Sequence, residues 1–271
     1  MAKSSSSEVS VTYEAKDGAG WITLNRPAVL NALNSELVAE LANRVEAAAS
    51  DPNARCVIVR GAGQAFSSGM DRTALADGAV TEQFYRDWIR ALNRLEDMPK
   101  ISVAVLHGYS IGGGLQLALA CDLRVATDDA IIELGATRHG LIPDGAVLRL
   151  ARVVGMGRAK ELALLNERLT PEQARAIGLI NYVCRASELD ARLSALIEKV
   201  RGVSPTATAE TKKLINASFH NDPRALIEEL VASLNICMAS WELAEANRAW
   251  KEHREARFFK KSEEKRESTD C

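Results

Sequence analysis

The chain has 271 residues, of which 47% are apolar and 26% are charged, and its formal net charge is −2. This length and composition suffice for a hydrophobic core and exclude a chain that is disordered throughout. The near-neutral charge argues against a nucleic-acid partner, and no apolar stretch reaches the length of a membrane span, so no membrane partner is expected either.

Short apolar strands alternate with amphipathic helices through most of the chain. In chain order the predicted segments are strands 9–13 and 20–24, helix 31–49, strand 56–60, helix 81–95, strand 101–106, helix 112–120, strands 123–126 and 130–134, and helices 146–154, 158–164 and 171–177. From Ser187 onward the pattern is helical. Strands followed by crossing helices predict parallel strand pairing and an α/β fold.

The ends of the chain and its cysteines add little chemistry. Residues 1–8 are rich in serine and are predicted to be disordered, and residues 260–271 form a charged tail. The N-terminus lacks an apolar signal core. The five cysteines are odd in number, widely spaced and contain no CxxC pair: Cys56, Cys121, Cys184, Cys237 and Cys271. These features predict reduced thiols in a cytoplasmic protein, without a zinc or other metal site.

Two glycine-bearing turns each follow a predicted buried strand. The first, at residues 64–71, reads QAFSSGMD, and the second, at residues 108–118, reads GYSIGGGLQLA and opens a helix. Small residues let the backbone approach a ligand, and free amides at a helix start favour an anion or a developing oxyanion. The second turn matches neither a nucleotide phosphate loop nor a dinucleotide fingerprint. Either turn alone is also compatible with ordinary tight packing.

A third motif, GLIPDG at residues 140–145, places Asp144 on a loop among apolar residues. A carboxyl group in such surroundings is expected to have a raised pKa and to be able to act as a base. The alternative is a cap for the helix predicted from residue 146.

In this order and spacing, the three motifs resemble those of the crotonase superfamily of enoyl-CoA hydratases and isomerases. Four further segments resemble the family's pattern: NRPAVLNAL at 25–33, CDLRVA at 121–126, GMGRAKEL at 155–162 and EQARAIGLI at 172–180. The resemblance covers about residues 9–259.

The resemblance implies a spiral α/β core of stacked ββα units at residues 9–190 and a C-terminal helical region at residues 191–259 that makes trimer contacts. Members of the family bind acyl-CoA thioesters, and many are trimers or dimers of trimers. No tightly bound cofactor is implied, because coenzyme A arrives as part of the substrate.

The resemblance also implies roles for individual residues. Backbone amides of Met70 and Gly113 would form an oxyanion hole. Contacts to the substrate or its CoA are implied for Arg26, Val29, Ala32, Ala65, Ser67, Ser68, Asp71, Gln116, Ala136 and His139. Four basic residues are candidates for the CoA phosphates: Arg26, Arg72, Lys260 and Lys261.

The chain departs from the family's hydratases at two positions. Those enzymes use two glutamates, where this chain has Gln116 and Ala136. Hydration needs one group to activate water and another to handle the α-proton, so hydratase activity is not expected. Asp144 remains, as in some Δ3,Δ2-enoyl-CoA isomerases, and one base suffices to shift a double bond. Two alternatives stay open: another crotonase reaction (hydratase, hydrolase or aryl-CoA dehalogenase) and an acyl-CoA binder without catalysis.

Three more expectations concern residues near the predicted pocket. Glu133 lies three positions before Ala136, an odd strand offset that predicts a side chain on the opposite face. His107 ends a buried strand and is expected to hydrogen-bond to the backbone. The helix at residues 81–95 carries an apolar set that is expected either to line the acyl pocket or to belong to the core: Phe84, Tyr85, Trp88, Ile89 and Leu92.

Overall fold

The computed structural model describes residues 9–259, so both predicted tails, with Lys260 and Lys261, lie outside the described residues. The chain divides into two compact units, the first ending at Ser194 and the second beginning at Ala195. The assignment of the C-terminal helices to trimer contacts stays a prediction.

Within the described residues, the first unit contains the following strands: β1 (Val11–Lys16), β2 (Ala19–Leu24), β3 (Cys56–Gly61), β4 (Ile101–Leu106), β5 (Tyr109–Ile111), β6 (Leu123–Thr127), β7 (Ile131–Glu133) and β8 (Tyr182–Cys184). A six-stranded sheet has the order β1-β2-β3-β4-β6-β8. β1 and β2 form an antiparallel hairpin, and the later neighbours are parallel. The hairpin turns at Asp17-Gly18, where both residues have positive φ, as a tight two-residue turn requires.

β5 and β7 form a second sheet of two strands. β5 pairs in parallel with β7, while Ser67 bridges Ser110 on β5 and Ile132 on β7 bridges Leu169. Each turn of the chain therefore adds one strand segment to each of two layers. This arrangement confirms the α/β class and the predicted spiral of stacked ββα units.

The helices of the first unit are α1 (Ser35–Ser50), α2 (Arg72–Ala76), α3 (Glu82–Asp97), α4 (Gly113–Ala120), α5 (Asp144–Val147), α6 (Leu150–Val154), α7 (Met156–Leu165) and α8 (Pro171–Ala176). α1 and α3 pack against each other through buried apolar faces. α4 is buried almost throughout, which places its first turn deep in the unit.

Several predicted boundaries were wrong. The helix predicted from residue 31 begins at Ser35, because Leu30 and Asn31 have positive φ and the Asn34 side chain caps the helix by accepting from the Leu37 N–H. The helix predicted at 146–154 is divided into α5 and α6. β5, β8 and α2 were not predicted, because elements of three to five residues are too short to show a hydrophobic period.

The second unit is helical, as predicted from Ser187 onward. α9 (Leu189–Arg201) spans the boundary, and α10 (Pro205–Ala217), α11 (Ala225–Met238) and α12 (Trp241–Lys251) follow. α10 and α11 pack against each other, and Ser233 on α11 donates to Glu210 on α10. None of the helices in residues 9–259 combines the length and the apolar character that crossing a bilayer requires.

Candidate active site

A cavity of about 410 Å³ opens in the first unit. Its walls come from the turn after β3, from α2, from α3, from the start of α4 and from the segment between β7 and α5. Seven of the residues predicted as the base, the oxyanion hole or contacts to the substrate or its CoA line it: Ser68, Met70, Gly113, Gln116, Ala136, His139 and Asp144. The three sequence motifs therefore meet at one site.

The two glycine-bearing turns lie in direct contact. A Cβ atom on Gly69, whose φ is +86°, would lie 2.8 Å from the Ile111 carbonyl oxygen and 3.1 Å from the Gly113 nitrogen. A Cβ atom on Gly114 would lie 2.6 Å from the Ser67 carbonyl oxygen. Only bare backbone fits at this contact, which brings residue 70 and residue 113 to the same part of the cavity.

The amides of Met70 and Gly113 are free to bind a ligand. The Leu33 N–H donates to the Gly69 carbonyl, and the Leu33 carbonyl accepts from the Asp71 N–H. This pairing uses the residues on either side of Met70 and leaves the Met70 N–H out of the backbone hydrogen bonds of the described chain. Gly113 is the first residue of α4, where an N–H has no partner inside the helix. Within residues 9–259, neither amide donates a backbone hydrogen bond. Two such donors beside the positive end of a helix dipole suit a developing oxyanion.

Asp144 is the first residue of α5 and one of the residues that line the cavity. Its Oδ2 atom is buried and accepts no hydrogen bond within the described residues. Burial raises the pKa of Asp144 above its ordinary value, against the opposing effects of the Gly145 and Asp144 N–H groups and of Arg149. The sequence analysis predicted this increase in the pKa of Asp144. A carboxyl group with a raised pKa that belongs to a cavity wall is a candidate to exchange a proton with a ligand.

The aromatic side of α3 faces the cavity at Phe84, Tyr85 and Trp88, whereas Ile89 and Leu92 belong to the core around it. Burial and the charge of Asp144 both raise the pKa of Tyr85. Sequence reasoning placed Tyr85 only as pocket or core and missed its proximity to Asp144. Nothing in the local sequence of α3 could have revealed that proximity, because it depends on the distant loop.

The strand offset on which the Glu133 prediction rested is absent from the structure. Glu133 is one of the residues that line the cavity, and its carboxylate forms ion pairs with Arg138 at 3.0 Å and Arg168 at 3.1 Å. β7 ends at Glu133, and Gly135 follows with a φ of +66°. Strand alternation therefore does not extend to Ala136, and the odd offset carries no information about direction.

Two further cavity residues contact each other. Arg72 Nη1 lies 3.1 Å from His139 Nδ1 and 3.2 Å from His139 Nε2, so one guanidinium nitrogen contacts both ring nitrogens. His107 lies elsewhere and contacts the Gly63 carbonyl at 3.2 Å, the backbone bond that was predicted. Within residues 9–259, no cluster of His, Cys, Asp or Glu side chains has a metal-ligating arrangement.

The remaining predicted contact residues lie outside the cavity on the adjoining turns: Arg26, Val29, Ala32, Ala65, Ser67 and Asp71. Arg26 forms an ion pair with Asp71 at 3.1 Å and donates to the Ala32 carbonyl. Ser67 is fully buried, and its hydroxyl donates to the Asn31 carbonyl and accepts from the Gly69 N–H. These contacts join the first turn to residues 26–32, while Val29 is exposed.

Comparisons with known proteins identify the family to which the chain belongs. Residues 14–261 match the family described as enoyl-CoA hydratase/isomerase. The chain is 30% identical over 254 residues to the short-chain-enoyl-CoA hydratase of Clostridium acetobutylicum, covering 92% of this chain and 97% of that protein. It is 30% identical over 255 residues to the peroxisomal Delta(3,5)-Delta(2,4)-dienoyl-CoA isomerase of Arabidopsis thaliana, covering 88% and 92%. The crystal structure of an enoyl-CoA hydratase from Bacillus anthracis matches with a TM-score of 0.85 at 28% identity, covering 92% and 98%.

Proposed function

The chain belongs to the enoyl-CoA hydratase/isomerase family, and from this premise we propose that it is an enoyl-CoA isomerase that moves a double bond from C3 to C2 of a CoA thioester. The observation that carries the proposal is Asp144, whose buried Oδ2 has no hydrogen-bond partner in residues 9–259 and which shares the cavity with the amides of Met70 and Gly113.

The proposed reaction uses one base and one oxyanion hole. The Asp144 carboxylate removes a proton from C2, and the electrons of that C–H bond delocalise onto the thioester oxygen. The Met70 and Gly113 N–H groups donate to this oxygen, and each donor contributes about 3 kcal/mol to stabilising the enolate. The protonated Asp144 then returns its proton to C4, where the C3=C4 π electrons form the new C–H bond. The enolate collapses to the thioester carbonyl, and its C1=C2 π electrons become the new double bond between C2 and C3. The step requires no cofactor besides the CoA of the substrate.

The other polar groups of the cavity support a single base. Gln116 and Ala136 occupy the positions where the family's hydratases carry glutamates, and neither side chain can accept a proton from carbon or water. Both oxygens of Glu133 are engaged by guanidinium groups. Many relatives, including the Clostridium enzyme, are named as hydratases. An experiment must therefore distinguish isomerisation from hydration.

The test is incubation of a six-carbon 3-enoyl-CoA with the protein in heavy water, followed by mass spectrometry. We expect conversion to the 2-enoyl isomer with uptake of deuterium. Asp144→Asn should slow conversion about 10²–10⁴-fold, the usual contribution of a general base, while thioester binding persists. Asp87→Asn is the matched control, because Asp87 is an ion-paired carboxylate on α3 outside the cavity.

Formation of a 3-hydroxyacyl-CoA from the 2-enoyl isomer would instead identify a hydratase. Binding without isotope exchange would identify a non-catalytic acyl-CoA binder. Conversion that survives in Asp144→Asn would show that another group is the base.

We also infer assembly into a homotrimer or a dimer of trimers. The support, besides the family resemblance, is an apolar stripe on α11 that stays exposed in the single chain: Ile227, Leu230, Val231 and Leu234. Their spacing of three and four residues puts them on one helix face.

A further inference from the structure

Two buried side chains bind opposite ends of Gly145, the residue that follows Asp144. The Gly145 N–H donates to Gln116 Oε1 at 2.6 Å, and the Gly145 carbonyl accepts from Arg149 Nη1 at 3.1 Å. Gln116 is 5% exposed and Arg149 is 3% exposed. Hydrogen bonds at such buried positions are costly to break, because the separated groups cannot form replacement hydrogen bonds with water.

The Gly145 backbone is also packed directly against neighbouring helices. A Cβ atom there would lie 2.5 Å from Leu92 Cδ1 on α3 and 2.9 Å from Gln116 Oε1 on α4. Arg149 is itself fixed to α3, where its Nη2 lies 2.6 Å from Glu96 and 2.8 Å from Asn93. The short helix that carries Asp144 is therefore anchored to α3 and α4 at the adjacent residue.

We propose that Gln116 is a positioning residue, whose amide oxygen holds the Gly145 peptide and thereby fixes the Asp144 carboxyl group in the cavity. The proposal rests on the proposed role of Asp144 as the base. Gln116 occupies the position of a hydratase glutamate, but here its oxygen is committed to the protein's own backbone. Because the partner is an N–H donor, the amide must present its oxygen to Gly145.

A neutral acceptor at this position has a specific advantage over a carboxylate. Tyr85 on α3 and Arg149 at the start of α6 interact electrostatically with Asp144, and three further titratable or charged residues line the same cavity: Arg72, Glu133 and His139. A glutamate at position 116 could also accept from Gly145, but it would bring a second negative charge near Asp144. Like charges disfavour ionisation, so this change would raise the pKa of Asp144 further and leave less base at neutral pH.

Two substitutions separate positioning from charge. Gln116→Met keeps the side-chain volume and removes the acceptor, so we expect kcat to fall at least about tenfold while KM changes little, because the amide donors remain in place. Gln116→Glu keeps the acceptor, so we expect its rate to recover at high pH and the acidic limb of its pH profile to move upward. Leu119→Met is the control, a buried change on α4 away from Gly145.

A direct titration of Asp144 makes the result independent of turnover. Carbon-13 NMR of aspartate-labelled protein, with Asp144→Asn to assign the signal, should show a higher pKa for Asp144 in Gln116→Glu and a changed chemical shift in Gln116→Met. Wild-type kcat and an unchanged Asp144 signal in both variants would overturn the positioning role. If the signal responds but the wild-type protein does not isomerise, the positioning contact stands and the isomerase proposal fails.

Discussion

At the scale of single residues, the chemistry of the site depends on which partners the fold gives to each carboxyl group. Glu133 and Asp144 both line the cavity, yet Glu133 is bound by two arginines while the Oδ2 of Asp144 has no partner in the described chain. Burial disfavours the charged form of the Asp144 carboxyl group, whereas guanidinium groups engage both carboxylate oxygens of Glu133. The two acids therefore differ in what they can do, although their side chains have the same chemistry.

Asp144 is expected to reduce stability at neutral pH. Its folded-state pKa is raised, so between the unfolded value near 3.8 and the raised value the folded chain holds a proton that the unfolded chain has lost. This contribution to stability is complete below the unfolded value and is lost as the pH rises through the folded value. Asp144→Asn should therefore melt about 2 °C higher than the wild type at pH 8.

Calorimetry at two pH values checks this expectation. The advantage of Asp144→Asn over the wild type should shrink at pH 4.5, and Asp87→Asn should show no such gain. A lower melting temperature for Asp144→Asn at pH 8 would show that the carboxylate is stabilised in the folded protein after all.

At the scale of elements, the oxyanion hole is a contact between two turns. α4 begins where the turn after β3 passes, and the glycines at residues 69, 113 and 114 allow the approach. The sequence predicted both turns and the strands that precede them. It could not predict the contact, because residues 69 and 113 are more than 40 positions apart and their approach depends on the parallel pairing of β3 with β4.

Gly114→Ala should damage this contact selectively. The added methyl group would lie 2.6 Å from the Ser67 carbonyl oxygen, a backbone atom that cannot move without shifting the turn that carries Met70. We expect kcat/KM for the thioester to fall about 10²–10³-fold, the cost of losing one oxyanion donor. Steady-state kinetics of the purified variant would measure it.

Gly157→Ala is the matched control. Gly157 is the second residue of α7, as Gly114 is of α4, and a Cβ atom there meets nothing within 4 Å. This variant should keep full activity and gain up to about 1 kcal/mol of stability, because alanine favours the helix. Equal activity in the two variants would refute a catalytic role for the contact between the turns.

At the scale of the whole molecule, the second unit leaves a large apolar surface uncovered in the single chain. The α11 stripe of Ile227, Leu230, Val231 and Leu234 is accompanied on the next helix by exposed Trp241 and Trp250. Exposed apolar surface of this extent marks an interaction site in most proteins. In the inferred trimer, a second copy of the chain covers this apolar surface.

Leu234→Asp should weaken that assembly, because it places a charge in the middle of an apolar contact. Sedimentation velocity is expected to show a shift of the wild-type trimer or hexamer toward monomer. Ala232→Asp introduces the same charge at another exposed position of α11 and should leave the assembly intact. A monomeric wild-type protein would contradict the inferred trimer.

The sequence by itself determined the α/β class, the order of the three motifs, the acid at position 144 and the absence of glutamate at positions 116 and 136. These features are local, since they depend on short-range periodicity, turn residues and side-chain identity. Only the tertiary structure decided that Glu133 is paired by two arginines, that Tyr85 lies near Asp144, and that Gln116 and Arg149 bind the Gly145 peptide. Each of these contacts joins segments that are separate along the chain, so its geometry depends on strand pairing and helix packing.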